Sequence, residues 1–142
     1  MIEFDIFIPV PRNTVWEFLT ENDHIQKWWG KGVLLHGRHG GQFYEPWTDR
    51  YGRQHSTRGT VTAIEPRARM QLDWQDESWP KATRVEFLIF QSEGGTKISV
   101  QHSGWENFDD KDRGRIVDDH REGWKDVLNN FREYCIKAAG EK

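Results

Sequence analysis

Apolar and polar residues alternate from the start of the chain: Ile2, Phe4, Ile6 and Ile8 are apolar, with Glu3 and Asp5 between them. A period of two puts every second side chain on one side of an extended backbone, so this segment predicts a strand with one buried face. Pro9 and Pro11 end it, and Asn13 or Thr14 is placed to cap a short helix over residues 15–19. A second short helix is expected over 23–28, closed by Gly30, where the missing Cβ lets the chain turn. Strand patterning returns in six stretches, 33–36, 41–47, 59–64, 70–75, 83–91 and 97–102. Turn chemistry separates several of them: Gly40-Gly41, Glu65-Pro66-Arg67, Ser78-Trp79-Pro80 and Gly94-Gly95. Connections this short favour antiparallel neighbours, because a parallel pair needs a long crossover. The polar run 48–57 reads as a longer, exposed hairpin tip.

Near residue 112 the period becomes helical. Ile116, His120, Trp124, Val127, Leu128, Phe131, Tyr134 and Cys135 fall on one stripe, which predicts a single amphipathic helix over 112–138. Asp109, Asp110 and Asp112 suit its positive end, and Gly140 follows its last turn. Such a helix is roughly 40 Å long, and only a sheet offers enough surface to bury its stripe. The expected fold is α+β: a curved antiparallel sheet of about six or seven strands wrapped around a long C-terminal helix, with two short helices after the first strand. At 142 residues the chain reads as one domain, 1–142, able to bury a core without disulfides.

Charge narrows the partners. Twenty Lys and Arg against 23 Asp and Glu give a net charge of -3, and no basic block could follow a phosphate backbone or an anionic bilayer. Neither nucleic acid nor a membrane is an expected partner. No positive region precedes an apolar core at the N-terminus, which is a strand rather than a signal peptide. The lone Cys135 has no partner for an internal disulfide and reads as a buried, inert thiol, in keeping with a reducing, cytoplasmic setting. Eight Trp and eight Phe exceed what packing alone needs in so small a domain, and such rings serve cores and ligand cavities equally well.

Local motifs then suggest a family. Ile8-Pro9-Val10-Pro11 leading to Val15-Trp16-Glu17-Phe18-Leu19-Thr20, and Lys27-Trp28-Trp29-Gly30 after it, resemble a first strand, helix and tryptophan turn of the START-like, or SRPBCC, helix-grip superfamily. Gly40-Gly41-Gln42-Phe43 is similar to its glycine-led strand, Gly59-Thr60-Val61 to its fourth strand, and Gly123-Trp124 with Leu128 and Tyr134 to its final helix. Within that superfamily the chain resembles the group related to the C-terminal domain of the activator of the heat-shock protein 90 ATPase. The resemblance implies a helix-grip fold with a cavity that in different members holds lipids, polyketides, hormones or other hydrophobic molecules. It implies a shared cavity, not a shared reaction. The eukaryotic activators carry in addition an N-terminal domain that contacts the chaperone. This chain begins directly at the C-terminal-type domain, so a chaperone partner is the least expected.

Alternation assigns the cavity wall. Ile98, Val100 and His102 share one face of their strand, as do Val85, Phe87 and Ile89, then Met70, Leu72 and Trp74, then Phe43, Glu45 and Trp47. His120 lies four residues from both Ile116 and Trp124, on the buried stripe of the helix. Glu45, His102 and His120 are therefore candidates to converge in an apolar pocket, to orient a polar ligand atom or to move a proton. Trp28 and Trp29 are expected to divide two jobs, one indole at the mouth of the grip and one stapling the small helices to the long one. Trp105 and Phe108 are candidates for the opposite rim. The expected ligand-binding set is Trp28, Trp29, Phe43, Glu45, Trp74, Phe87, His102, His120 and Trp124. No cofactor is expected, and no metal, because His102 and His120 lack close ligand spacing. The leading expectation is noncovalent binding of a small hydrophobic molecule. An enzyme acting on an aromatic or polyketide-like substrate, with a cavity His or Glu as acid or base, comes second, and a chaperone-interaction module last.

Overall fold

A computed structural model describes residues 1–141 of the chain. Strand β1 (Ile2–Ile8) is followed by helices α1 (Arg12–Thr20) and α2 (Asn22–Trp28), then strands β2 (Leu34–Leu35), β3 (Gln42–Thr48), β4 (Gln54–Glu65), β5 (Arg69–Asp76), β6 (Thr83–Ser92) and β7 (Gly95–Ser103). A single 3-10 turn (Trp105–Asn107) leads into the long helix α3 (Asp110–Gly140). The strands form one seven-stranded antiparallel sheet in the order β1-β7-β6-β5-β4-β3-β2. Every neighbouring pair is consecutive in sequence except β1 with β7, so the sheet is a meander closed at one edge by the first strand. The expected α+β architecture is present.

The sheet curves where its pairing slips. The β4–β5 register shifts between Val61 and Ala63, and an extra residue on one strand bends and twists it. Gly59, opposite Phe43, has no room for a side chain, since a Cβ there would sit 1.9 Å from the Asp73 carbonyl oxygen. Gly104 has φ +101° and turns the chain out of β7 toward Trp105.

Two boundaries differ from the sequence reading. Run 48–57 is not a long exposed tip: β4 begins at Gln54, and Thr48 pairs with Gln54 and Trp47 with His55. Asp49 makes the turn tight, its Oδ1 accepting the backbone N–H of Tyr51 and of Arg53 while Oδ2 lies 2.8 Å from His55 Nε2. Helix α1 starts at Arg12 with Pro11 as its cap residue and no side-chain cap. Asn13 and Thr14 lie inside the first turn because the Pro11 carbonyl already accepts from Thr14 and Val15. At the other end of the chain Asp109 caps α3, its Oδ1 accepting from the Asp112 N–H.

The core lies between the sheet and the second half of α3. Trp124, Leu128, Phe131 and Cys135 are its buried residues, spaced four, three and four apart. They meet Phe18, Ile25, Phe87 and Val100, all buried. None of the first fourteen residues of α3, from Asp110 to Gly123, is buried. No described helix is long and apolar enough to cross a membrane.

Candidate functional site

That division of α3 creates the site. Below Trp124 the helix rests on core. Above it Ile116, His120 and Gly123 look across an opening toward the ends of β3, β4 and β5 and the 78–80 turn. The space between them is a cavity of about 650 Å³, within the range that takes small organic ligands.

Five indoles form much of its apolar wall. Trp29, Trp47, Trp74, Trp79 and Trp124 all line it. Trp29, Trp74 and Trp124 make a mutual cluster with ring centroids 5.2 to 6.2 Å apart. On the other side Trp79 packs against His120 at 5.0 Å and edge-on to Phe108 at 4.9 Å. The two neighbouring indoles of the tryptophan turn stack on each other at 5.0 Å and have different partners beyond. Trp28 donates to the Phe18 carbonyl and packs on Phe131, joining α1 and α2 to α3; Trp29 enters the cavity wall.

Eight of the eighteen lining residues are polar or charged, and several of them are engaged. Glu45 on β3 accepts from Trp29 Nε1 at 3.1 Å, and burial pushes its carboxyl up to about 7 against the opposing pull of that N–H, with Asp76 adding repulsion. Asp76, at the end of β5, accepts from Thr57 Oγ1, which itself accepts from Trp47 Nε1. Burial raises its pKa too. His120 Nδ1 donates to the Ile116 carbonyl at 3.0 Å, so the Nε2 side faces Asp76 Oδ2 at 4.0 Å. Trp74 Nε1 is a buried donor with no hydrogen-bond partner among the described residues.

His102 sits behind this wall, fully buried. Trp124 Nε1 donates to its Nδ1 at 3.0 Å. An indole N–H can only donate, so Nδ1 carries no proton and the hydrogen of the neutral ring is on Nε2. It goes to Thr83 Oγ1 at 2.7 Å, and the Thr83 hydroxyl donates in turn to the Trp74 carbonyl. Burial holds the ring neutral, its pKa lowered to about 2. The relay fixes Trp124 and ties β5 to β7 through β6.

Of the nine residues singled out from the sequence, Trp29, Glu45, Trp74, His120 and Trp124 line the cavity. Phe43 stands one layer back, stacked on Trp74 at 5.1 Å. Phe87 packs edge-on to Trp124 at 5.8 Å, Trp28 belongs to the core, and His102 supports the wall without reaching the cavity. Sequence reasoning missed Asp76, Thr57 and Trp79. Asp76 continues the series Met70, Leu72, Trp74 by one step, and ending the strand at residue 75 hid it. Thr57 lay in the presumed tip and Trp79 in a turn.

Away from the cavity, Glu17, Glu21 and His24 bring one ligand atom each within 4.8 Å of the others. His24 there lies 3.4 Å from Glu17 and has Nδ1 against the Tyr134 hydroxyl, the pattern of a surface ion-pair cluster.

Comparison with known proteins agrees with this architecture. No curated protein sequence matches the chain. Among solved structures, protein MLL2253 from Mesorhizobium loti superposes with a TM-score of 0.76 at 20% identity over 96% of both chains. The Aha1 dimer from Colwellia psychrerythraea gives a TM-score of 0.71 at 20% identity over 93% of this chain and 92% of that one. DynU16, a putative protein in the dynemicin biosynthetic locus, gives 0.75 at 18% identity over 94% of this chain but 46% of its own, so the chain spans under half of that protein. Identities this low speak for the fold alone. The family model for Activator of Hsp90 ATPase homolog 1-like protein matches residues 9–135, nearly the whole of the meander and the long helix that grips it, and the chain belongs to that family.

Proposed function

We propose that this protein binds a small, largely apolar molecule, noncovalently, in the cavity between the first half of α3 and the ends of β3 to β5. The observation that carries the reading is a space of about 650 Å³ with five indoles and Phe108, Ile116 and Val127 in its wall, and polar groups among them to orient an occupant. Rigid aromatic walls give a large apolar contact area at little entropic cost, and the polar groups set orientation. Native mass spectrometry of freshly purified protein, with titration of a hydrophobic panel followed by tryptophan fluorescence, tests it. A retained small molecule or saturable quenching is expected, with Trp79→Ala weakening binding about tenfold, the loss of one stacked ring. No retained species and no saturable response from any panel member would count against it.

One observation favours a second reading. Glu45, with its carboxyl pushed up to about 7, has the acid–base character that proton transfer uses near neutrality. If the protein is an enzyme, a ligand found in the binding experiment is recovered as a different compound, and Glu45→Gln ends the conversion. Recovery of the ligand unchanged retires this reading.

A further inference from the structure

Hydrogen-bond supply and demand in the cavity point to the charge of its occupant. The indole N–H of Trp29 is engaged by Glu45, that of Trp47 by Thr57 and that of Trp124 by His102. His120 Nδ1 is engaged by a backbone carbonyl. Arg115 at the rim is exposed, with Nη2 3.6 Å from Asp112 Oδ1, and Asp112 and Asp119 beside it outnumber its charge. Donors along this wall that an anion would find are the Nε1 groups of Trp74 and Trp79, the Ser78 hydroxyl and, at the rim, the exposed guanidinium of Arg115. Glu45 has one hydrogen-bond donor on Oε2 and no ion-pair partner among the described residues, and Asp76 adds a second carboxylate to the same wall.

The faces of the indoles have the same preference. An aromatic ring is negative over its face and draws a cation toward it, tryptophan most of all, and more strongly where water is excluded. Nearest Glu45 are Trp29 from the turn after α2, Thr57 on β4 and Asp76 on β5, and across the same cavity stand Asp112, Arg115, Asp119 and His120 on α3. Of the charged residues among them, those on the sheet are carboxylates and the arginine lies at the rim in its own ion pair.

We propose that the molecule this cavity takes carries a positively charged nitrogen, a protonated amine or a quaternary ammonium on an apolar framework, seated among the indoles with its charge against Glu45. The inference rests on the binding reading above and adds the chemical class of the ligand. Its charge supplies the counterion that Glu45 lacks. A neutral ligand of the same shape fills the space only over a protonated Glu45, so the two kinds of ligand differ in pH dependence. The ammonium binds more tightly as pH rises through about 7, where Glu45 ionises, and the neutral ligand binds more tightly as pH falls.

Three probes on one framework test this by calorimetry on the full chain: naphthylmethyl trimethylammonium, whose charge does not titrate, naphthalenemethanol, and naphthoate. At about pH 8 the ammonium is expected to bind at least roughly tenfold more tightly than the alcohol, with naphthoate weakest. That preference shrinks at about pH 6. Glu45→Gln, which keeps an oxygen for the Trp29 N–H, lowers ammonium affinity about tenfold more than alcohol affinity. The pH dependence of the unmodified protein reads the same interaction if the variant folds poorly. Binding of the alcohol with equal or weaker binding of the ammonium at pH 8 overturns the cation inference and leaves the binding reading standing, as does a preference unmoved by both pH and the variant. Tightest binding by naphthoate does the same. Failure of all three to bind removes both.

Discussion

Glu45 and His102 show how burial acts on two ionisable groups with opposite signs. The Glu45 carboxyl is raised from 4.5 to about 7, so between those values the unfolded chain releases a proton that the native protein keeps. Native stability therefore falls as pH rises through that window, by at most about 3 kcal/mol and by less to the extent that the carboxylate keeps contact with water. Glu45→Gln removes the effect. Urea denaturation is expected to find the variant more stable relative to wild type at about pH 8 than at about pH 5, and an equal difference at both would place Glu45 in water. His102 runs the other way. Its ring stays neutral to about 2, whereas in the unfolded chain it takes a proton below about 6.5, so its contribution to stability is lost as pH falls below 6.5. His102→Phe leaves the buried Trp124 N–H without an acceptor. The expected loss is about 1–3 kcal/mol at neutral pH, read as a shift in the urea midpoint; a change near zero would mean that Trp124 finds another acceptor. The sequence placed His102 on the inner face of its strand but did not reveal its depth. Alternation assigns a side, and only the packing of Trp105 and Trp124 over the ring shows that ligand and histidine do not meet.

Helix α3 carries one stripe with two duties. Leu128 is 5% exposed within the core, and Leu128→Ala is expected to cost about 2–5 kcal/mol in urea titration. Ile116, three turns earlier, lines the cavity and is only partly buried. Ile116→Ala should cost below about 1 kcal/mol and act instead on ligand affinity, because a side chain facing a void leaves few contacts to lose. Equal losses at the two positions would mean that the first half of the helix is packed on core. The helix itself was legible from periodicity, yet a stripe of apolar residues looks the same whether its partner is a filled core or an open space. Strand β4 failed for a related reason. Its first residues, Gln54, His55 and Ser56, are polar, and the backbone bonds that pair them with β3 leave no mark on side-chain pattern. Missing them hid Thr57, and ending β5 one residue early hid the Asp76 beside it. Trp28 and Trp29, expected to divide two jobs, stack on each other at 5.0 Å, with Trp28 reaching Phe131 and Trp29 reaching Phe43 and Trp74.

At the scale of the whole molecule, the order of strands decides which parts can form early. Strands β3 to β7 join neighbours through short turns, as Ser92 to Gly95 does between β6 and β7, so each pair closes with little loss of chain entropy. Strand β1 has no such neighbour. Its partner is β7, and Ile2 stands across from His102, one hundred positions along the chain. Helix α3 packs on β1 as well, with Arg132 Nε donating to the Phe7 carbonyl. Distant contacts of this kind form slowly relative to local ones. Pulse-labelling hydrogen exchange during refolding should therefore find the amides of β5 and β6 protected before those of β1, and simultaneous protection would mean that the whole sheet condenses at once. The N-terminal strand acts as a clasp fastened last. Until it closes, α3 lacks part of its seat, so an occupant of the proposed site that needs the finished molecule would act by slowing unfolding rather than by guiding assembly.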